Sequence, residues 1–226
     1  MVNIIAIVLG LLPGFAWLLF YLREDPNPEP KRLIALAYVN GAAFAFLALG
    51  VQLISQSVLV RYGIPILGTV AFILFAIIEE VLKFAAAYTA IHRRPEFDEP
   101  IDAMIYMVTA ALGFATVENI GVVAAPTGDT LLLANVFQLI TFRFVGATLL
   151  HALTSGIVGY HWAHGIARFG RAGWHLAGGI LVASILHAIF NLIIFYKGDV
   201  LFAVLLLMGI GFFVLADFEK LKRKVV

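Results

Sequence analysis

Cysteine is absent from all 226 residues. That excludes disulfides, a thiolate nucleophile and any zinc or iron–sulfur site built on cysteine. Charge is scarce too, with only 13% of the chain Asp, Glu, Lys or Arg and a formal net charge of +1; no nucleic-acid partner is expected. Internal repeats, low-complexity tracts and a separate polar domain are all lacking. The first 22 residues have neither the basic start nor the small-residue cleavage site of a cleavable signal peptide, so they read as a span. No apolar run contains Gly-x-Ser-x-Gly or Gly-x-Gly-Asp, the settings of serine and aspartyl intramembrane nucleophiles.

Apolar residues dominate instead: 62% of the chain is hydrophobic, with a mean hydropathy of +1.01. A soluble domain of this size has no use for so much, so the fold class is all-α, a polytopic transmembrane helical bundle. The chain reads as one integral membrane domain over 1–226, with a motif-bearing core at about 64–196 and a basic tail at 217–226. Seven spans are expected, with eight as the upper alternative: Asn3–Leu22, bent at Pro13 and Gly14; Leu33–Ile54; Ile64–Tyr88; Ile101–Ala124; Ile140–His164; Trp174–Tyr196; and Val200–Ala216. Ser55–Gly63 and Pro126–Asp129 read as turns, and Leu131–Leu139 as an interfacial segment. Basic residues are one-sided. Arg23, Lys31, Arg32, Arg93, Arg94, Arg168, Arg171 and four in the tail lie on one side, against Arg61 and Lys197 on the other. The positive-inside rule then places the amino terminus outside and the carboxyl terminus in the cytoplasm.

The stretch Ile77-Ile78-Glu79-Glu80-Val81-Leu82-Lys83 stands out within this apolar background. Each ionised side chain at the centre of a spanning helix costs roughly 2.5–3.5 kcal/mol on insertion scales. Glu79 and Glu80 lie four and three residues before Lys83, so the ammonium reaches both carboxylates but fully neutralises one. The other needs a proton, a metal or a substrate. Glu118, Arg143, His151 and His187 add further ionisable groups on three more spans. Such residues in a membrane mark a functional site shared between helices more often than packing.

Histidine and carboxylate are the ligands zinc accepts where thiolate is missing, and a neighbouring Glu can act as general base on water. His187 and Asn191 share one helical face, where Asn191 can donate to a developing oxyanion. Arg143 reads as a charge partner for a carboxylate such as Glu118, and Thr154 and Ser155 as helix-packing hydroxyls. This constellation suits hydrolysis of an amide bond within the membrane, with or without a metal. A cation or proton transporter would also use intramembrane Glu and His, though many carry internal repeats. A non-catalytic scaffold of the same fold is the third reading.

Glu79-Glu80-x-x-Lys83, Phe114-x-x-x-Glu118-Asn119, His151 and His187-x-x-x-Asn191, in that order on successive spans, resemble the PrsW family of intramembrane proteases. That family sits with the CAAX prenyl proteases and bacteriocin-immunity-type membrane proteins. The chain departs from the prenyl-protease pattern in carrying Lys83 in place of a more distant Arg, and Glu118 where the second motif has His. The resemblance implies a cell-membrane protease that makes the first, site-1 cut in a membrane-anchored anti-sigma factor. It also implies Glu79 as the water-activating base, Glu80 assisting or held by Lys83, and Glu118, His151 and His187 as ligands of a metal, zinc. Asn119 and Arg143 would support the charges.

Overall fold

The computed structural model describes residues 4–124, 133–169 and 173–222. Among them all regular elements are helical: α1 Ile4–Tyr21, α2 Lys31–Arg61, α3 Thr69–Ile91, α4 Asp102–Ala124, α5 Leu133–Arg143, α6 Leu149–Phe169, α7 Gly173–Lys197 and α8 Val200–Lys222. A 3-10 turn, Leu22–Glu24, follows α1, and a π-helical segment, Phe144–Thr148, joins α5 to α6. Six segments are long and apolar enough to cross a bilayer: Ile7–Glu24, Lys31–Arg61, Asp102–Ala124, Phe137–Ile166, Gly173–Lys197 and Val200–Lys222. The 23 residues of α3 match them in length but carry Glu79, Glu80 and Lys83. The protein is a multi-pass integral membrane protein.

Helix α4 is the hub. Its residues are buried without a break from Asp102 to Thr116, the mark of a helix surrounded by others rather than facing lipid. It packs against α1, α2, α3 and α6. The α2–α4 crossing is closed by two reciprocal glycines. A Cβ on Gly41 would meet the Ala110 carbonyl oxygen at 1.9 Å, and one on Gly113 the Tyr38 carbonyl oxygen at 1.9 Å. Backbones can approach this closely only through small residues, the main route to tight helix association in lipid. Helix α8 lies outside, packing on α6 and α7 while exposing Leu201, Phe202, Leu205, Met208, Phe212 and Phe213.

Helix α1 covers the expected span, and three other boundaries differ from the sequence expectation. Helix α1 runs through Pro13 as one helix. Helix α2 passes the expected turn at Ser55 and ends at Arg61. The Ser55 and Ser57 hydroxyls donate to the Val51 and Leu53 carbonyls instead of breaking the helix, and the reversal falls at Gly63, whose φ of 69° suits glycine. Helix α8 extends to Lys222, so the tail begins as helix. The break expected near residue 139 falls instead in the π segment at 144–148. The turn expected at 126–129, Arg171 and the tail residues Arg223 and Lys224 lie outside the described residues.

Candidate active site

Helical spacing turns Ala76, Glu80, Lys83 and Ala87 of α3 into the bundle, and all four are buried. Alanines above and below leave room for the charged pair. Lys83 Nζ donates to Glu80 Oε1 at 2.6 Å, with both side chains fully buried. The same ammonium lies 3.1 Å from His151 Nδ1 and 3.5 Å from Thr154 Oγ1 on α6. Glu80 Oε1 also meets the Thr154 hydroxyl at 3.1 Å and His187 Nδ1 of α7 at 2.8 Å. Glu80 is thus the junction of three helices.

These contacts fix both imidazole tautomers. Lys83 can only donate, so His151 Nδ1 accepts and its Nε2–H points away, donating to Glu118 Oε2 at 3.0 Å. His187 donates Nδ1–H to Glu80, which leaves the Nε2 lone pair facing Glu79 Oε2 at 3.6 Å. A carboxylate that orients a histidine through one nitrogen, freeing the other, is the usual outer-shell support of a metal ligand.

Glu79 stands on the flank of α3. Gln52 Nε2 of α2 donates to its Oε1 at 2.8 Å, while Oε2 is buried without a hydrogen-bond partner. Glu118 is held from the other side. Arg143 Nη2 at the end of α5 lies 3.2 Å from its Oε2, and Arg143 Nε donates to Asn119 Oδ1. Asn119 Nδ2 then reaches Thr148 Oγ1 of the π segment at 3.1 Å. That wider turn lets Arg143, Thr148 and His151 all face α4. Asn191 is half-buried and its side-chain amide is not engaged by any described residue.

Ligand-competent atoms of Glu79, His151 and His187 all lie within 4.8 Å of one another. The expected trio contained Glu118 in place of Glu79; in the structure Glu118 braces His151 and Arg143. A metal fits this group. Glu79 Oε2 is a buried acceptor in need of a partner and His187 Nε2 offers a lone pair, while His151 Nε2 becomes a ligand only if its tautomer reverses, giving up both the bond to Glu118 and the Lys83 contact at Nδ1. Carboxylate with two imidazoles is also a donor set that zinc takes up. The charge balance agrees, because three carboxylates face only Lys83 and Arg143.

Access to the cluster is sideways. A cleft of about 420 Å³ lies between α2 and α4, lined by Phe46, Leu49, Gln52, Phe114, Glu118 and Arg143 among others. Phe46 and Leu49 are exposed at its rim, and Gln52 and Glu118 stand within it. Elsewhere the cluster is closed, with Glu80, Lys83, His151 and His187 at most 4% exposed.

Gln52 and Thr148 are site residues that sequence reasoning did not single out, and Thr154, read there as a helix-packing hydroxyl, also joins the cluster. Gln52 carried the clearest signal, as a polar amide within an apolar span. The two threonines had none beyond being hydroxyls, which also pack helices in lipid.

The family profile described as "PrsW family intramembrane metalloprotease" matches residues 29–216. The chain is similar to proteins named "Protease PrsW" from three bacteria. It is 29% identical to that of Geobacillus kaustophilus over 190 residues, 83% of this chain and 79% of the relative. Identity is 27% to that of Oceanobacillus iheyensis over 197 residues, 87% and 85% of the two chains. For Bacillus subtilis it is 29% over 193 residues, 82% and 80% of the two chains. No solved structure matches it. With a cluster of glutamates and histidines enclosed by membrane-spanning helices and a family match across most of its length, the chain belongs to the PrsW family of intramembrane proteases.

Proposed function

We propose that this protein is a metal-dependent endopeptidase that cuts a membrane-anchored protein of the anti-sigma-factor class, making the site-1 cleavage. The observation that supports it best is the unpartnered Glu79 Oε2 facing the lone pair of His187 Nε2 inside the bundle. Glu79, His151 and His187 would hold a divalent ion, zinc. Such an ion supplies a Lewis acid that lowers the pKa of bound water and stabilises the oxyanion of amide hydrolysis.

The remaining steps belong to the protein. Glu80 keeps His187 in the tautomer with a free Nε2, and Lys83 holds Glu80 ionised and in place. Gln52 orients Glu79 by its Oε1. Glu118 accepts the proton of the attacking water once His151 Nε2 leaves it, then returns that proton to the leaving amine. Arg143 steadies Glu118 during the transfer. This exchanges the roles that the family resemblance implies for Glu79 and Glu118. Asn191, with its amide uncommitted, donates to the oxyanion. The substrate's apolar segment reaches the site through the α2–α4 cleft, where the peptide must be locally extended to present its carbonyl.

The test is cleavage of a reconstituted substrate before and after exhaustive chelation, with zinc added back and metal content measured in each state. Chelation should abolish cleavage and zinc restore it. Glu118→Gln should keep the metal and lose activity, whereas Glu79→Gln should lose both. Full activity in metal-free protein would sink the metal site and return the base role to Glu79.

A further inference from the structure

One basic corner of the bundle has no place in the proteolytic chemistry. A cavity of about 490 Å³ lies where the start of α2 meets the end of α3, lined by Leu36, Asn40, Thr89, Ala90, His92, Arg93 and Arg94. Arg93 and Arg94 are exposed and neither forms a salt bridge or side-chain hydrogen bond with a described residue. At this end Arg32 pairs with Glu96 at 2.5 Å, Lys220 with Asp217 at 2.7 Å and Lys222 with Glu24 at 2.6 Å, whereas Arg23, Lys31, Arg93 and Arg94 form no salt bridge with a described residue. Of these four, Arg93 and Arg94 are the two that line this cavity.

The corner is layered by polarity. His92 Nδ1 bonds the Tyr88 carbonyl at 2.8 Å, and its ring stacks on Tyr88 at 4.1 Å. That contact orients Nε2 outward and covers part of the negative end of α3. Thr89 lies three residues deeper, about 5 Å along the helix axis. At the same level Asn40 Nδ2 lies 3.3 Å from Thr89 Oγ1 and 3.3 Å from the Ala86 carbonyl. Leu36 and Ala90 supply the apolar wall. Cations lie outermost, with an amide and a hydroxyl one turn deeper. A phospholipid has the same order, an anionic phosphate above ester carbonyls.

We propose that this cavity binds the headgroup of an anionic phospholipid, with Arg93 and Arg94 on the phosphate, above an Asn40–Thr89 pair whose own donors are committed to one another and to the Ala85 and Ala86 carbonyls. Basic recesses between spanning helices are suited to such headgroups, and guanidinium groups match phosphate geometry better than ammonium does. A bound lipid would clasp α2 to α3, the two helices that supply Gln52 and Glu79. The assignment does not depend on the catalytic reading, since none of these residues touches the site.

The full chain, reconstituted in vesicles of equal phosphatidylglycerol and phosphatidylcholine, would be released and examined by native mass spectrometry. The wild type should retain phosphatidylglycerol in preference, near one per chain. R93Q/R94Q should lower that retention roughly thirtyfold, about fivefold for each cation removed at an anionic surface. Lys220→Gln, on the same face but already paired, should leave it unchanged. Gel filtration and helical content would confirm that each variant is folded. Equal retention of the two lipids by the wild type, or unchanged retention by R93Q/R94Q, would overturn the proposal. Displacement of the lipid by millimolar inorganic phosphate would also overturn it, assigning the cavity to a soluble anion.

Discussion

Two groups of carboxylates lie in this molecule, one inside the bundle and one on the loop face, and they are satisfied by opposite means. Inside, Glu80 Oε1 and Glu118 Oε2 are matched to Lys83, Arg143 and the two histidines, and Glu79 Oε2 and Glu80 Oε2 are left over. On the loop face, Asp25, Glu29, Glu99 and Asp102 are held by backbone amides and neutral donors, beside the ion pairs Arg32–Glu96 and Lys222–Glu24. Asp25 accepts from the Asn27 and Glu29 amides. Asp102 accepts from those of Asp98 and Glu99 at the start of α4. Glu29 accepts the Tyr106 hydroxyl at 2.5 Å, and Glu99 accepts from Asn27. The first group concentrates mobile protons and ligand atoms at one point. The second ties loop 22–30 to loop 92–101 and has no cation at its centre. Burial alone therefore does not make a carboxylate functional; the kind of partner does.

The same substitution made in both groups gives the sharpest contrast. Glu118→Gln should lower cleavage by roughly 10²–10⁴-fold, the usual contribution of a positioned acid–base group, while Glu99→Gln leaves it unchanged. Equal losses from both, at equal expression, would mean that activity follows general stability and the contrast is false.

Lys83→Ala comes next, read as stability. Removing one partner of a buried ion pair costs roughly 3–5 kcal/mol, because the other charge is stranded. Replacing the pair together, as Glu80→Gln with Lys83→Met, should recover most of that stability without recovering cleavage. Thermal unfolding in detergent reads the first effect and substrate turnover the second. An unaltered unfolding temperature in Lys83→Ala would show that the ammonium is not needed for the fold.

The smallest effect is expected on the loop face. Burial, opposed in part by the Tyr106 hydrogen bond, raises the Glu29 carboxyl above its ordinary value near 4.5. A raised carboxyl contributes stability that is fully present below the ordinary value and is lost as pH rises through the folded one. The wild type should thus unfold at a slightly higher temperature in mild acid than at neutral pH. Glu29→Gln should flatten this slope and shift stability by no more than about 0.5 kcal/mol. An unchanged slope in that variant would remove Glu29 from the pH response.

Much of this protein was determined by the sequence alone, since the cost of burying charge in lipid is a local quantity. The apolar runs placed the spans, and the ionisable residues within them marked Glu79, Glu80, Lys83, Glu118, Arg143, His151 and His187. Helical spacing by itself put Glu80 and Lys83 on one face. Helix ends were less legible, because Ser55 and Ser57 had an intrahelical use for their hydroxyls and the π segment left no mark in hydropathy. Which partners meet across helices was decided only by the tertiary structure. Gln52, Thr148 and Thr154 reach the cluster because Gly41 and Gly113 let α2 and α4 touch, and because the π turn rotates α6 relative to α5. The same packing brings Glu79 rather than Glu118 toward His187. The choice rests on rotations of a fraction of a helical turn, and those are set by the shape of neighbouring helices rather than by the order of residues along any one of them.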